Sequence, residues 1–457
     1  MLPDNLRAYI DRRREANLAA LMELVRFPSV SSQSARNADS LACAERLAGI
    51  LRGLGFAAEL HPWRAHPVLI AHNTSAGAGA PTVLVYGHYD VQPPEPLEQW
   101  TSPPFEPTIR DGALYARGAS DDKGQLYAHL AAMDAIIATA GRLPVNIVLL
   151  AEGEEEIGSP ELERFIVDHA AELRADFAVI SDSDFFRRGV PTLCYGLRGL
   201  VYVELTLTGP SGDLHSGLHG GVVVNPLNAL ARMVAAMHDE NGRVALPGFY
   251  DDVLPLDPAE RALWDKLPFD EREYAAALGV EPVGGERGVD LLTRRWARPT
   301  LDCNGIVGGY QGEGSKTVIP ARATAKISMR LVERQRPERV VECFKRFVAE
   351  STPAGVTASV KTFAEARPVL TPIDSPAVAA ARAAMTEAFG GEVAMVRNGA
   401  SVPITELFQR ILGVDPILMG FGLPTDNLHA PNEHFELDQF YRGIVAAAAM
   451  MNNLAKR

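Results

Sequence analysis

The sequence predicts an α/β protein: a mainly parallel sheet with helices on both faces, into which a smaller α+β domain is inserted. Three observations predict it. Between residues 67 and 184 the short apolar runs PVLIAHN, PTVLVYGHYD, VNIVLLAEGEEE and ADFAVISDSD alternate with helical segments, and continuous apolar runs are what strands buried on both faces require. Near residue 199 the pattern changes to LVYVELTLTG, which alternates as a strand with one exposed face does. From about residue 368 the first style returns, so both ends of the chain complete one sheet.

Each element follows from its own stretch. MLPDNLRAYIDRRREANLAALMELVRF is an amphipathic helical pattern, LVRFPSVSSQ is turn-rich, and ADSLACAERLAGILRGLGF is helical again. GQLYAHLAAMDAIIATAG and SPELERFIVDHAAEL supply helices between the first apolar runs. After LVYVELTLTG come the helix NPLNALARMVAAMHD, the strands CNGIVGGYQG and ARATAKISMRLV, the helix PERVVECFKRFVAES and the strand GVTASVKTF. The order βαββαβ is the ferredoxin-like split unit. A long insertion over roughly residues 240–300, rich in Pro, Asp, Glu and Arg, reads as short helices and loops. SPAVAAARAAMTEAFG, SVPITELFQRIL, DPILMGFG and a final helix close the chain. The expected division is residues 1–198 with 368–457 as one domain and 199–367 as the inserted one.

Composition narrows the function. The 457 residues carry a net charge of −13, which gives no electrostatic footprint for nucleic acid or an anionic membrane surface. No stretch reaches the roughly 18 apolar residues of a membrane span, and the N-terminus lacks the apolar core of a signal peptide. Cys43, Cys194, Cys303 and Cys343 form no C-x-x-C pair and read as reduced thiols of a cytoplasmic protein. SAGAGAP and VGGERG are glycine-rich, but neither follows a strand and opens a helix as a phosphate loop must.

Chemistry concentrates in five segments: GHYD with His88 and Asp90, RGASDDKGQ with Asp121 and Asp122, EGEEEIGSP with Glu152 to Glu156, ISDSD with Asp182 and Asp184, and DNLHAPNEH with His429, Glu433 and His434. A lone histidine on an apolar strand is usually a satisfied core group, and acids before a helix usually complement its dipole. Successive strand-to-helix crossings, however, bring these groups to one edge of one sheet, where ligands of open α/β sheets bind. Unpaired carboxylates there repel one another unless cations neutralise them. Mixed imidazole and carboxylate donors suit zinc, manganese or cobalt.

Together GHYDVQP, LYARGASDDKG, EEIGS, ISDSD, YGLRG, DLHSGLHGG, SKTVIP, ISMRLV, NGASVPITE and HAPNE resemble the dinuclear zinc metallopeptidase family of the aminoacylases, carboxypeptidase G and carnosinase. The match runs in order from about residue 25 to 440, and GHYDVQP, DLHSG and SKTVIP are most similar to the carnosinase-type dipeptidase branch. The resemblance implies a zinc exopeptidase-like catalytic domain with a ferredoxin-like lid and dimerisation domain, and two divalent ions, zinc with manganese or cobalt as alternatives. It implies that Asp121 bridges both ions, with its bond to Asp122 in cis. His88 and Asp182 then complete one ion's shell, and Glu156 and His429 the other's. Asp90 would orient His88, and Glu155 would be the general base and acid, with Glu154 in that role if the EEIGS register slips by one. His215 would steady the oxyanion, reaching in from a dimer partner, and Arg330 would clamp the substrate's carboxylate with Thr317 and Ser401 as further contacts. The activity implied is hydrolysis of short peptides, above all dipeptides. The alternatives are an N-acyl amino acid deacylase, a desuccinylase or a carboxypeptidase with the same metals, or a metal-binding homologue without catalysis. His61, His66, His72, His129, His169, His219, His238 and His434 are read as structural.

Overall fold

The structure, a computed structural model, describes residues 1–400 and 402–456. Contacts divide the chain into two compact units: Met1–Tyr195 with Thr371–Val396 and Pro403–Arg457, and Gly196–Leu370 with Arg397–Val402.

The first unit is built on a twisted sheet whose order runs Ala57–His61, Val68–Asn73, Asn146–Glu152, Thr82–His88, Phe177–Ile180, Pro416–Leu418 and then the strand starting at Thr192. The four strands from Asn146–Glu152 to Pro416–Leu418 pair in parallel. The outer pairings are antiparallel. Every residue of Asn146–Glu152 is buried, as a strand covered on both faces must be. The helix Lys123–Ala140 is buried along most of its length, and the helices Pro376–Phe389 and Leu437–Leu454 pack on each other. The strand Ala57–His61 was not anticipated: AAELH is half exposed and lies at the sheet's edge, paired on one side only, so it carries no apolar run to announce it.

The second unit has the βαββαβ order. Gly199–Thr208, Thr300–Gly308, Arg322–Leu331 and Thr357–Ala366 form an antiparallel sheet in the order Thr300–Gly308, Arg322–Leu331, Gly199–Thr208, Thr357–Ala366. Burial alternates strictly along Gly199–Thr208. Its inward residues Val201, Val203 and Leu205 join Leu230 and Met233 of the helix Pro226–Ala236 and Phe344 and Phe347 of Pro337–Ser351 in one core. The long insertion folds as the short helices Pro258–Trp264, Glu271–Leu278 and Leu291–Trp296. Arg397–Val402, expected with the first domain, groups with this unit. Arg397 explains why, because its guanidinium donates to Glu260 at 2.6 and 2.8 Å and to Glu333 at 2.7 Å.

Candidate metal centre

Three parallel strands of the first unit deliver the site. His88 ends Thr82–His88, Glu152 ends Asn146–Glu152 and leads into Glu155 and Glu156, and Asp182 follows Phe177–Ile180 by two residues. Asp121 precedes the helix Lys123–Ala140, and its peptide bond to Asp122 is cis. His429 comes from the segment after Pro416–Leu418, where Asn427, His429 and Asn432 all hold left-handed backbone conformations. Such conformations are costly for residues with a Cβ and collect where a side chain must be aimed.

Two donor groups share one carboxylate. His88, Asp121 and Asp182 form the first; Asp121, Glu156 and His429 form the second. Asp121 presents Oδ1 to His88 Nε2 at 3.0 Å and Oδ2 to His429 Nε2 at 2.9 Å. His88 Nε2 lies 3.9 Å from Asp182 Oδ2, and His429 Nε2 lies 3.3 Å from Glu156 Oε2. Ligands bonded tetrahedrally to zinc at 2.0–2.2 Å sit about 3.3–3.6 Å apart; the His429–Glu156 pair at 3.3 Å has that spacing, while the two Asp121 pairs stand at hydrogen-bond distance and His88–Asp182 a little wider.

Electrostatics argue the same way. Burial pushes Glu155 and Glu156 up to about 8 and Asp182 up to about 6, with neighbouring carboxylates adding to each shift. Asp121 goes the other way: burial would raise it, but hydrogen bonds with His429 and His88 hold it well below the carboxylate range. His429 is correspondingly raised to about 9 by Asp121. A cluster that rich in buried acid is strained by its own charge, and divalent cations are the partners that relieve it. The residues fit a pair of such ions.

Several neighbours aim the donors. His88 Nδ1 lies 3.1 Å from the Asp90 carbonyl and 3.4 Å from its Oδ1, which leaves Nε2 to face the ion. Asp90 has a second task that the sequence did not disclose: its Oδ1 and Oδ2 accept from the backbone N–H groups of Glu155 and Glu156 at 3.2 and 3.0 Å. Gln92 donates to Glu156 Oε2 at 2.8 Å. Glu433 is fully buried and accepts from Arg117 Nη1 at 2.6 Å, Gly118 N at 2.9 Å, and Ser120 N and Asp121 N, both at 3.1 Å. Gln92 and Glu433 lie inside quoted segments, GHYDVQP and HAPNE, but nothing in their residue type assigned them these roles. Gly87 matters through closeness: a Cβ there would stand 2.8 Å from Asp122 Oδ2, the atom that accepts the His88 N–H.

The other expected substrate contacts belong to the second unit. His215 forms a short antiparallel pairing with Val318, and its Nδ1 accepts from Gly217 N at 2.9 Å. Thr317 lies alongside, its carbonyl accepting from Ser216 N at 3.0 Å. Arg330 is half-buried on Arg322–Leu331, and burial lowers its pKa against the pull of Asp302. Ser401 lies outside the described residues.

Comparison with known proteins decides the lineage. The model of peptidase family M20/M25/M40 matches residues 84–453. The chain belongs to this family. It is a metallopeptidase. The Cys-Gly metallodipeptidase dug1 of Schizosaccharomyces pombe is 31% identical, with 99% of this chain and 98% of the relative covered. Among solved structures, an M20 family metallo-carboxypeptidase from Sulfolobus solfataricus is 34% identical with a TM-score of 0.86, covering 96% of this chain and 99% of its own. Human carnosine dipeptidase 1 is 30% identical with a TM-score of 0.81, covering 100% of each chain. As in these M20 peptidases, a smaller domain is inserted in a mainly parallel α/β sheet domain.

Proposed function

We propose that this M20 peptidase is a two-metal dipeptidase. The observation that carries the reading is Asp121, whose two oxygens face two different imidazoles, each backed by a further carboxylate. His88, Asp121 and Asp182 would hold one divalent ion, and Asp121, Glu156 and His429 the other. Zinc is the proposed metal, since each set joins an imidazole nitrogen to carboxylate oxygens, a mixed donor set that zinc takes. When bound, the ions supply Lewis acidity toward the attacking water and the scissile carbonyl.

Glu155 takes the proton of that water and hands it to the leaving nitrogen as the C–O bond forms and the C–N bond breaks. Its elevated affinity for protons suits a group that must accept one and return it near neutral pH. Asp90 holds the turn on which Glu155 sits and the ring of His88 together. His215 donates to the oxyanion, and Arg330, with Thr317 and Ser401, binds the terminal carboxylate, for which a planar guanidinium offers two parallel donors. The dipeptide reading is supported by the relatives named for Cys-Gly and carnosine. The inserted unit serves as lid and as homodimer interface, a reading supported by Leu218, Val222, Ile306 and Val307, all exposed. A cytoplasmic location is supported by four cysteines that form no disulfide.

A hydrolysis panel tests the reading. Chelated protein reloaded with zinc, manganese or cobalt should cleave dipeptides in preference to tripeptides and N-acyl amino acids. Preference for releasing the last residue of longer peptides would instead favour the carboxypeptidase reading that the Sulfolobus relative suggests. Full activity after removal of both ions would refute the mechanism.

A further inference from the structure

Away from the dinuclear centre, the sheet's edge carries a second set of donors. His61 is the last residue of the edge strand Ala57–His61. Its ring meets that of His169 edge-on, with centroids 4.6 Å apart at 68°. His169 stands just past the helix Leu162–Asp168 and stacks on Phe165 at 4.2 Å and 27°, which fixes the plane of its imidazole. Three residues on, Glu172 places Oε1 2.8 Å from His169 Nδ1. One donor atom from each of the three lies within 4.8 Å of the others.

A packing role leaves one fact unexplained. His61 Nε2 is buried and has no hydrogen-bond partner, whereas buried polar atoms are almost always satisfied and cost about 1–3 kcal/mol when they are not. An ion would satisfy it. Two imidazoles and a carboxylate are also the donor set of three-ligand zinc sites that leave one position for water. Magnesium and calcium are not the ions of choice, because they take oxygen donors. The three donors stand within 4.8 Å of one another, wider than the roughly 3.3 Å edge of a tetrahedral shell, so an ion would draw them together; Glu172, the more exposed member of its pair with His169, is already 2.8 Å from that ring.

We propose that His61, His169 and Glu172 form a third metal site, taking a divalent transition ion such as zinc or cobalt. The ion ties the edge strand to the segment that follows Leu162–Asp168. Edge strands otherwise present unpaired backbone groups to other chains, and a crosslink of this kind holds the edge in place. The site is separate from the dinuclear centre and stands or falls without it.

The test counts ions rather than turnover. Tag-free full-length protein is stripped with a chelator, equilibrated by dialysis against buffered cobalt(II), and its bound metal is measured by elemental mass spectrometry. Wild type should hold one more cobalt per chain than His169→Gln, with dipeptide hydrolysis by the variant unchanged. Glu172→Gln, a surface change that spares the fold, should weaken the extra ion by more than about tenfold, the least that loss of a ligand's partner usually costs. An Asp121→Asn variant should retain the extra ion. A cobalt count that is the same in wild type and both site variants overturns the proposal. A single ion per wild-type chain, lost in His169→Gln, supports this site and refutes the dinuclear reading instead.

Discussion

Replacing Glu433 by glutamine should loosen the loop that carries Asp121 while leaving the inserted unit untouched. The carboxylate accepts four N–H donors, two on each oxygen, and both it and Arg117 are sequestered, with side-chain exposures of 0% and 1%. Burial raises the pKa of Glu433 even against Arg117 and the backbone donors, so the pair is not a source of stability in itself. Its breaking is what costs. Glutamine would turn an amide N–H₂ toward two donors and leave the guanidinium uncompensated, and removing one partner of a buried pair typically costs about 3–5 kcal/mol. At about 1.4 kcal/mol per factor of ten, opening of the loop becomes more frequent by roughly 10²–10³·⁵. Hydrogen exchange read by mass spectrometry tests this directly, since the amides of Gly118, Ser120 and Asp121 are the ones Glu433 holds. They should exchange at least about a hundredfold faster, with the strand Gly199–Thr208 as internal control. Adding Arg117→Met should recover part of the loss, because no lone charge then stays buried. Unchanged exchange over residues 118–121 in Glu433→Gln would refute the account of how Asp121 is held.

Three further outcomes follow from the same geometry. Glu155→Gln should lower kcat by about 10²–10⁴, the range for losing a positioned general base, at unchanged metal content; activity within tenfold of wild type would remove Glu155 from that role. Gln92→Leu releases Glu156 Oε2 from its 2.8 Å donor and should weaken metal binding by about 10–100-fold, measured by competition with a chromophoric chelator, and equal affinity would show the contact to be incidental. The third concerns His129, whose Nε2 lies 2.7 Å from Ser181 Oγ while that hydroxyl spends its proton on the Met419 carbonyl, so the ring donates from Nε2. Burial lowers its pKa from 6.5 to about 4. The folded state therefore binds fewer protons than the unfolded chain between these values, and stability falls as pH drops from 6.5 to about 4, by about 3 kcal/mol in all. His129→Gln keeps a donor near Ser181 without titrating, so urea unfolding of metal-free protein should show a shallower loss in that window than wild type, and parallel curves would contradict the assignment.

How much of this was legible depends on what each residue does. Metal donors announce themselves by type: a histidine or acid at the end of an apolar strand is out of place, as His88, Glu152 and Asp182 are, and repetition of that oddity at three strand ends marks one edge of one sheet. The βαββαβ unit was legible because alternation along Gly199–Thr208 is a one-dimensional signal. Gln92, Glu433 and the second task of Asp90 were not, because an acceptor's partners depend on which backbone N–H groups the fold turns toward it. The edge strand at Ala57–His61 and the donor set His61, His169 and Glu172 were hidden for a related reason. Over a hundred residues separate His61 from the other two, and no local pattern distinguishes a structural histidine from one whose nitrogen is left without a partner.

The two donor groups of the dinuclear centre are unequal, and the inequality follows from where their residues come from. His88 and Asp182 stand at the ends of adjacent parallel strands, with side-chain exposures of 0% and 17%, and Asp90 fixes the ring from behind. His429, on its loop, is 56% exposed, and Glu156 depends on Gln92 and on the Asp90-bound turn. A rigid, dry set keeps its geometry when no ion is bound, whereas a loop-borne ligand must be ordered as the ion arrives, at an entropic cost. The strand-borne group is thus the tighter of the two, and Asp121 couples them, because an ion on one of its oxygens withdraws charge from the other. The fold therefore supplies one donor set that is largely preformed and one whose completion depends on a loop, with Glu155, the proposed general base, on the turn that Asp90 holds.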